Sequence, residues 1–101
     1  MPRGTKFQTV LMEELRNPLF ASHYIMAALN EGDEKFLGIA IGDVVRANGT
    51  TKISKSSRLT RQALYKMFSA EGNPSLSSIY AVLDALGLKL IVAPKKQKKS
   101  A

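Results

Sequence analysis

Arg61 and Gln62 stand side by side at the head of an apolar-periodic stretch, and each side chain ends in a group that makes paired hydrogen bonds. A guanidinium matches the O6/N7 edge of guanine, and a carboxamide matches the N6/N7 edge of adenine. Thr60, just before them, is a good N-cap. A capped helix start presents backbone N–H groups and first-turn side chains to a groove or a phosphate. Tyr65 and Lys66 follow about one turn later, within reach of a base edge or a phosphate. The set therefore suits duplex DNA, with base contacts expected from Arg61, Gln62 and Tyr65. Backbone contacts are expected from Arg46, Thr50, Thr51, Lys52, Arg58, Thr60, Lys66 and Asn73. The competing reading makes Arg61 and Gln62 ordinary solvated residues and packs Tyr65 on a neighbouring helix.

The charge distribution favours the first reading. The chain carries +7 overall, yet residues 44–70 hold six basic side chains and no acidic one, while residues 1–43 hold four basic and six acidic. A concentrated positive field supplies the sequence-independent, salt-sensitive part of nucleic-acid affinity. Alone, such a run is as compatible with a solvated basic face.

Two short helices must hold these groups, Thr50–Ser57 and Thr60–Phe68, with Arg58-Leu59 at the turn and Ile53, Leu59, Leu64 and Met67 facing inward. That is the pattern of a helix-turn-helix DNA reader. Upstream, Phe7, Val10, Leu11 and Leu15 recur at helical spacing. Asn17-Pro18 opens a second helix, with Leu19 or Phe20, Tyr24, Ala27, Ala28 and Leu29 as its apolar positions. His23 and Ile25-Met26 fill its other faces; the Tyr24–Met26 cluster reads as core or dimer surface. Gly32 stops this helix and Asp33 caps the next, about Glu34–Ala47. There Phe36, Leu37, Ala40, Ile41, Val44 and Val45 form a core stripe. Gly38 and Gly42 sit inside it, each costing about 1 kcal/mol relative to Ala, which close approach of another helix would offset. Thr50 or Thr51 is expected to cap the helix that follows Asn48-Gly49. A last helix covers about Leu76–Leu86, with Gly87 past its end. Leu88–Val92 reads as a short β-strand and Lys95–Ala101 as a disordered tail.

The expected fold is all-α: a helix-turn-helix bundle with an N-terminal helical extension and a short C-terminal β-strand. Residues 1–33 form the extension, 34–92 the DNA-binding core and 93–101 the basic tail, in one domain overall. With no Cys and a single His, disulfides, thiolate metal sites and multi-His sites are ruled out. No Ser/His/Asp arrangement, phosphate-cradling Gly loop or cofactor fingerprint is present, so neither catalysis nor a cofactor is expected. Glu31, Asp33 and Glu34 cluster where capping and macrodipole effects explain them, and no metal site is read there. No apolar run is long enough to span a membrane and no signal-peptide pattern opens the chain, so a cytoplasmic protein is expected.

Gly49–Val92 resembles the Cro/repressor type of helix-turn-helix. The longer run Phe7–Val92 is similar to the addiction-module antidote family of small bacterial antitoxins. The matching pieces are YIMAALNEGD (Tyr24–Asp33), GDVVRANG (Gly42–Gly49), LTRQALYK (Leu59–Lys66), GNPSL (Gly72–Leu76) and VLDALGLKL (Val82–Leu90). The resemblance implies a λ-repressor-like five-helix core with an added N-terminal segment. It also implies a homodimer on a palindromic operator, a small partner toxin and repression of the chain's own operon. Two departures stand out. Arg58 replaces the usual turn Gly, where a left-handed conformation costs roughly 1–2 kcal/mol. Ser54 replaces a small apolar residue, and its hydroxyl needs a partner if buried. A stand-alone or phage-type regulator is the first alternative. A protein-interaction module with vestigial DNA binding is the second.

Overall fold

The computed structural model describes residues 6–95. Six helices form among them: α1 (Lys6–Glu14), α2 (Pro18–Glu31), α3 (Glu34–Asn48), α4 (Thr50–Ser57), α5 (Arg61–Met67) and α6 (Leu76–Ala85). Local chemistry sets most of the boundaries. Asn17 Oδ1 accepts hydrogen bonds from the N–H groups of Leu19 (2.8 Å) and Phe20 (3.3 Å), with Pro18 in the first helical position. Gly32 ends α2 with φ 77°, and the Asp33 carboxylate accepts from Lys35 N (2.9 Å) to start α3. At the far end, Gly87 adopts φ 80°, Gly87 N donates to Asp84 O (3.0 Å) and Leu88 N to Leu83 O (2.7 Å). That bond pair is a Schellman closure, and it satisfies carbonyls that α6 would otherwise leave open.

Helix α3 is the axis of the molecule and touches α1, α2, α4 and α5, while α6 packs on α4. Leu15, Val44, Ile53, Leu64 and Val82 are its most completely buried large side chains. One comes from the α1–α2 junction and one from each of α3, α4, α5 and α6, so a single core fastens the N-terminal helices to the α4–α5 pair. Burying each of them contributes about 1.5–3 kcal/mol. Gly38 and Gly42 have a specific role here. A Cβ on Gly38 would lie 2.8 Å from the carbonyl oxygen of Ser69, and one on Gly42 would run into that of Phe68. The close neighbour is the end of α5, lying with its backbone directly on α3.

Four expectations need correction. The β-strand at Leu88–Val92 does not form, and no strand occurs among the described residues. An extended segment becomes a strand only by pairing its N–H and C=O groups with a second one, and the segment has none here. Leu88 instead packs against the core. Neither Thr50 nor Thr51 caps α4; Gly49 does, at φ 100°, without a side-chain hydrogen bond. In α2 the buried residues are Ala21 and Ile25, while Leu19 and Leu29 are exposed, because the helix meets α3 through its Ala21–Ile25 face. Phe36 stays 47% exposed near the start of α3. The residues expected to form the tail beyond Lys95 lie outside those described.

Candidate nucleic-acid interface

The turn between α4 and α5 is built by two serines of α4. Arg58 takes φ 64° and ψ 24° and is the one non-glycine with positive φ among the described residues. Ser54 Oγ donates to Leu59 O (2.5 Å), and Leu59 N donates to Ser57 Oγ (3.3 Å). The buried Ser57 hydroxyl and the half-buried Ser54 hydroxyl are thereby satisfied. Each such bond contributes about 0.5–1.5 kcal/mol, enough together to offset the left-handed residue. Both departures from the expected motif thus belong to one local arrangement.

Past the turn, Thr60 Oγ1 accepts from Ala63 N (3.0 Å), the cap expected for α5. Leu64 is buried and draws α5 onto the core, which leaves Arg61, Gln62, Tyr65 and Lys66 exposed on its outer side. Tyr65 is 52% exposed. Arg61 Nη1 donates to Thr51 Oγ1 (3.2 Å), joining the start of α5 to the first turn of α4. Lys52, Arg58 and Asn73 are exposed and Thr50 is half-buried.

A second grouping lies at the start of α4. Arg46, Lys52 and Arg16 line one open cleft of about 510 Å³ with Ala47, Asn48 and Gly49, and no acidic side chain borders it. Arg46 is not wholly free, because its Nη2 donates to Asp43 Oδ1 one helical turn earlier. Asp43 Oδ2 in turn accepts from Tyr24 Oη on α2 (2.7 Å). Burial, then the hydrogen bond to Asp43 and its negative charge, push the Tyr24 phenol from its usual 10 up to about 12. Asn48 closes the floor, donating through Nδ2 to Leu15 O (3.2 Å) and Val44 O (2.9 Å).

The structure therefore brings Arg61 together with Thr51, and Arg46 with Lys52, and leaves Arg58, Lys66 and Asn73 exposed. Sequence reasoning missed Arg16, which follows a helix end and precedes Asn17-Pro18 with no local signal of a role. It also missed Asp43 as the partner of Arg46, although their three-residue spacing was a usable sign. His23 is exposed, and no cluster of metal-ligating side chains occurs among the described residues.

Six helices on one core, with cationic side chains gathered where α4 and α5 begin, define a small all-helical protein. No helix among the described residues is long and apolar enough to cross a membrane. Residues 5–94 match the family described as probable addiction module antidote protein, and the chain belongs to that family. A Haemophilus influenzae protein described as uncharacterized is 32% identical over 69 residues, which span 68% of this chain and 71% of that protein. No solved structure matches the chain.

Proposed function

We propose that this antidote-family protein is a sequence-specific DNA-binding antitoxin, reading DNA through α4 and α5 as a helix-turn-helix. In this reading it neutralises a partner toxin and represses the operon that encodes both. The observation that carries the DNA reading is the exposure of Arg61 and Gln62 on the first turn of a Thr60-capped helix, in a stretch without acidic residues. In this mechanism α5 lies in the major groove, with Arg61, Gln62 and Tyr65 on base edges. Thr50, Thr51, Lys52, Arg58, Thr60, Lys66, Asn73 and Arg46 hold the backbone. Because Arg61 rests on Thr51 in the free protein, its guanidinium is partly ordered before it meets a base, which lowers the entropy lost on binding. A homodimer would set two such helices about 34 Å apart, one DNA turn, and select a palindrome.

Selection of bound duplexes from a random pool, at stated salt, tests the DNA reading. Enrichment of a palindrome is the expected outcome; recovery of unselected sequence would defeat sequence-specific reading. Co-purification with the product of an adjacent short reading frame tests the antitoxin role. Operator binding without that association would favour a stand-alone regulator.

A further inference from the structure

The sequence divides at the end of α2 into an N-terminal extension and a DNA-reading part, yet one cation of the extension sits on the reading side. Arg16 lies between α1 and α2 and is exposed. Its Nε donates to Ala47 O at the end of α3 (3.2 Å). That single bond fixes the guanidinium across the gap between the N-terminal helices and the start of α4. Its Nη groups have no protein partner among the described residues, and the side chain borders the cleft shared with Lys52 and Arg46. Three separate segments thus each deliver one cation to a concave surface with no carboxylate on its lining. Arg46 is the most committed of the three, because Asp43 holds its guanidinium. Arg16 and Lys52 have no ion pair among the described residues.

We propose that Arg16 is a DNA-contacting residue: with Lys52 it clamps one phosphodiester of the duplex in this cleft. This rests on the DNA reading above and extends the interface to the N-terminal helices. The Ala47 tether matters chemically, since a guanidinium held through Nε keeps its Nη edge for a phosphate oxygen, and Arg is suited to that planar fork. The contact lies outside the reading helix, so it adds affinity and orientation without choosing bases.

The test uses the full chain and the duplex recovered by selection. Affinity is measured by fluorescence anisotropy across a potassium chloride series for the wild type, Arg16→Gln and Arg16→Lys. The slope of log affinity against log salt should flatten by about 0.9 per protomer in Arg16→Gln, with the ranking of operator variants unchanged. Arg16→Lys should keep the wild-type slope. A duplex series with one neutral methylphosphonate at each position gives a second measurement. One position per half-site should weaken the wild type and leave Arg16→Gln unaffected. An unchanged slope in Arg16→Gln overturns the proposal, as does a methylphosphonate profile identical to that of the wild type. Equal flattening in Arg16→Lys, which keeps the charge, would show that a cation at this position does not carry the salt dependence and overturn it too. Failure of the wild type to bind any duplex would overturn the DNA reading itself, a result visible without any variant.

Discussion

Two faces of this protein are made of opposite materials. The α4–α5 side is short helices, hydroxyls, an amide and cations, with its apolar residues Ile53 and Leu64 turned fully inward. The α2 side, continued by the segment after α6, leaves Leu19, Met26, Leu29, Ile91 and Val92 more than half exposed. Part of it forms an apolar groove between Ile25, Met26, Leu29, Leu83 and Leu90. A polyanion has no use for the second face, and an apolar protein surface has little for the first. The contrast shows how one chain of 101 residues can present a polar, cationic surface and an apolar one on different helices that share only the core.

Substitutions can break or sharpen that contrast. The largest effect is expected from Leu64→Ala, which empties the contact seating α5 and should cost about 2–5 kcal/mol in urea unfolding. Gly42→Ala comes next. Its new Cβ meets the Phe68 carbonyl, so α5 must shift, with an expected net loss of about 1–3 kcal/mol and weaker binding to every duplex. Arg61→Ala should leave unfolding nearly unchanged and lose about 1–3 kcal/mol at one base position, relaxing preference there. An equal loss on all sequences would assign Arg61 to the backbone instead.

Tyr24→Phe removes the hydrogen bond to Asp43 and should cost about 0.5–1.5 kcal/mol near neutral pH. Its pH signature is more specific. The Tyr24 phenol titrates near 12 when folded against about 10 when unfolded. The unfolded chain therefore loses this proton first, and stability present below pH 10 is lost as pH rises through 12. Chemical denaturation between those limits should show a weaker decline in the Phe variant. The smallest effect is expected from Met26→Ala, 56% exposed in the wild type. Its stability should stay within about 0.5 kcal/mol, and a pull-down of a protein partner is the measurement on which it should register. A large loss of stability there would show that the apolar face belongs to the fold.

Much of this was legible in the chain, and the pattern of success has a physical cause. Asn17, Asp33 and Thr60 act on amides two or three residues away, so their roles are written in local order. The same holds for Gly32 and Gly87. The start of α4 misled because Gly49, Thr50 and Thr51 are all acceptable N-caps, and only the approach of the chain from α3 decides among them. Ile25 stood between two readings, off the main apolar face yet in a cluster read as core or dimer surface, because α2 is apolar on several sides and its periodicity is ambiguous. The strand expectation failed because β-prone composition says nothing about whether a partner is present. Arg16 was invisible for a different reason: its neighbours in the cleft lie about thirty residues further on, and no spacing rule connects them.

The contact between α3 and the end of α5 has a mechanical consequence. Interfaces made of side chains are compliant, because rotamers exchange and crossing angles drift. Where Phe68 and Ser69 rest on Gly38 and Gly42, main chain bears on main chain and that slack is missing. The two helices are geared together, and close-packed interiors transmit strain. A load that tilts α3, applied through the α2 helix packed along it, must therefore turn α5 as well.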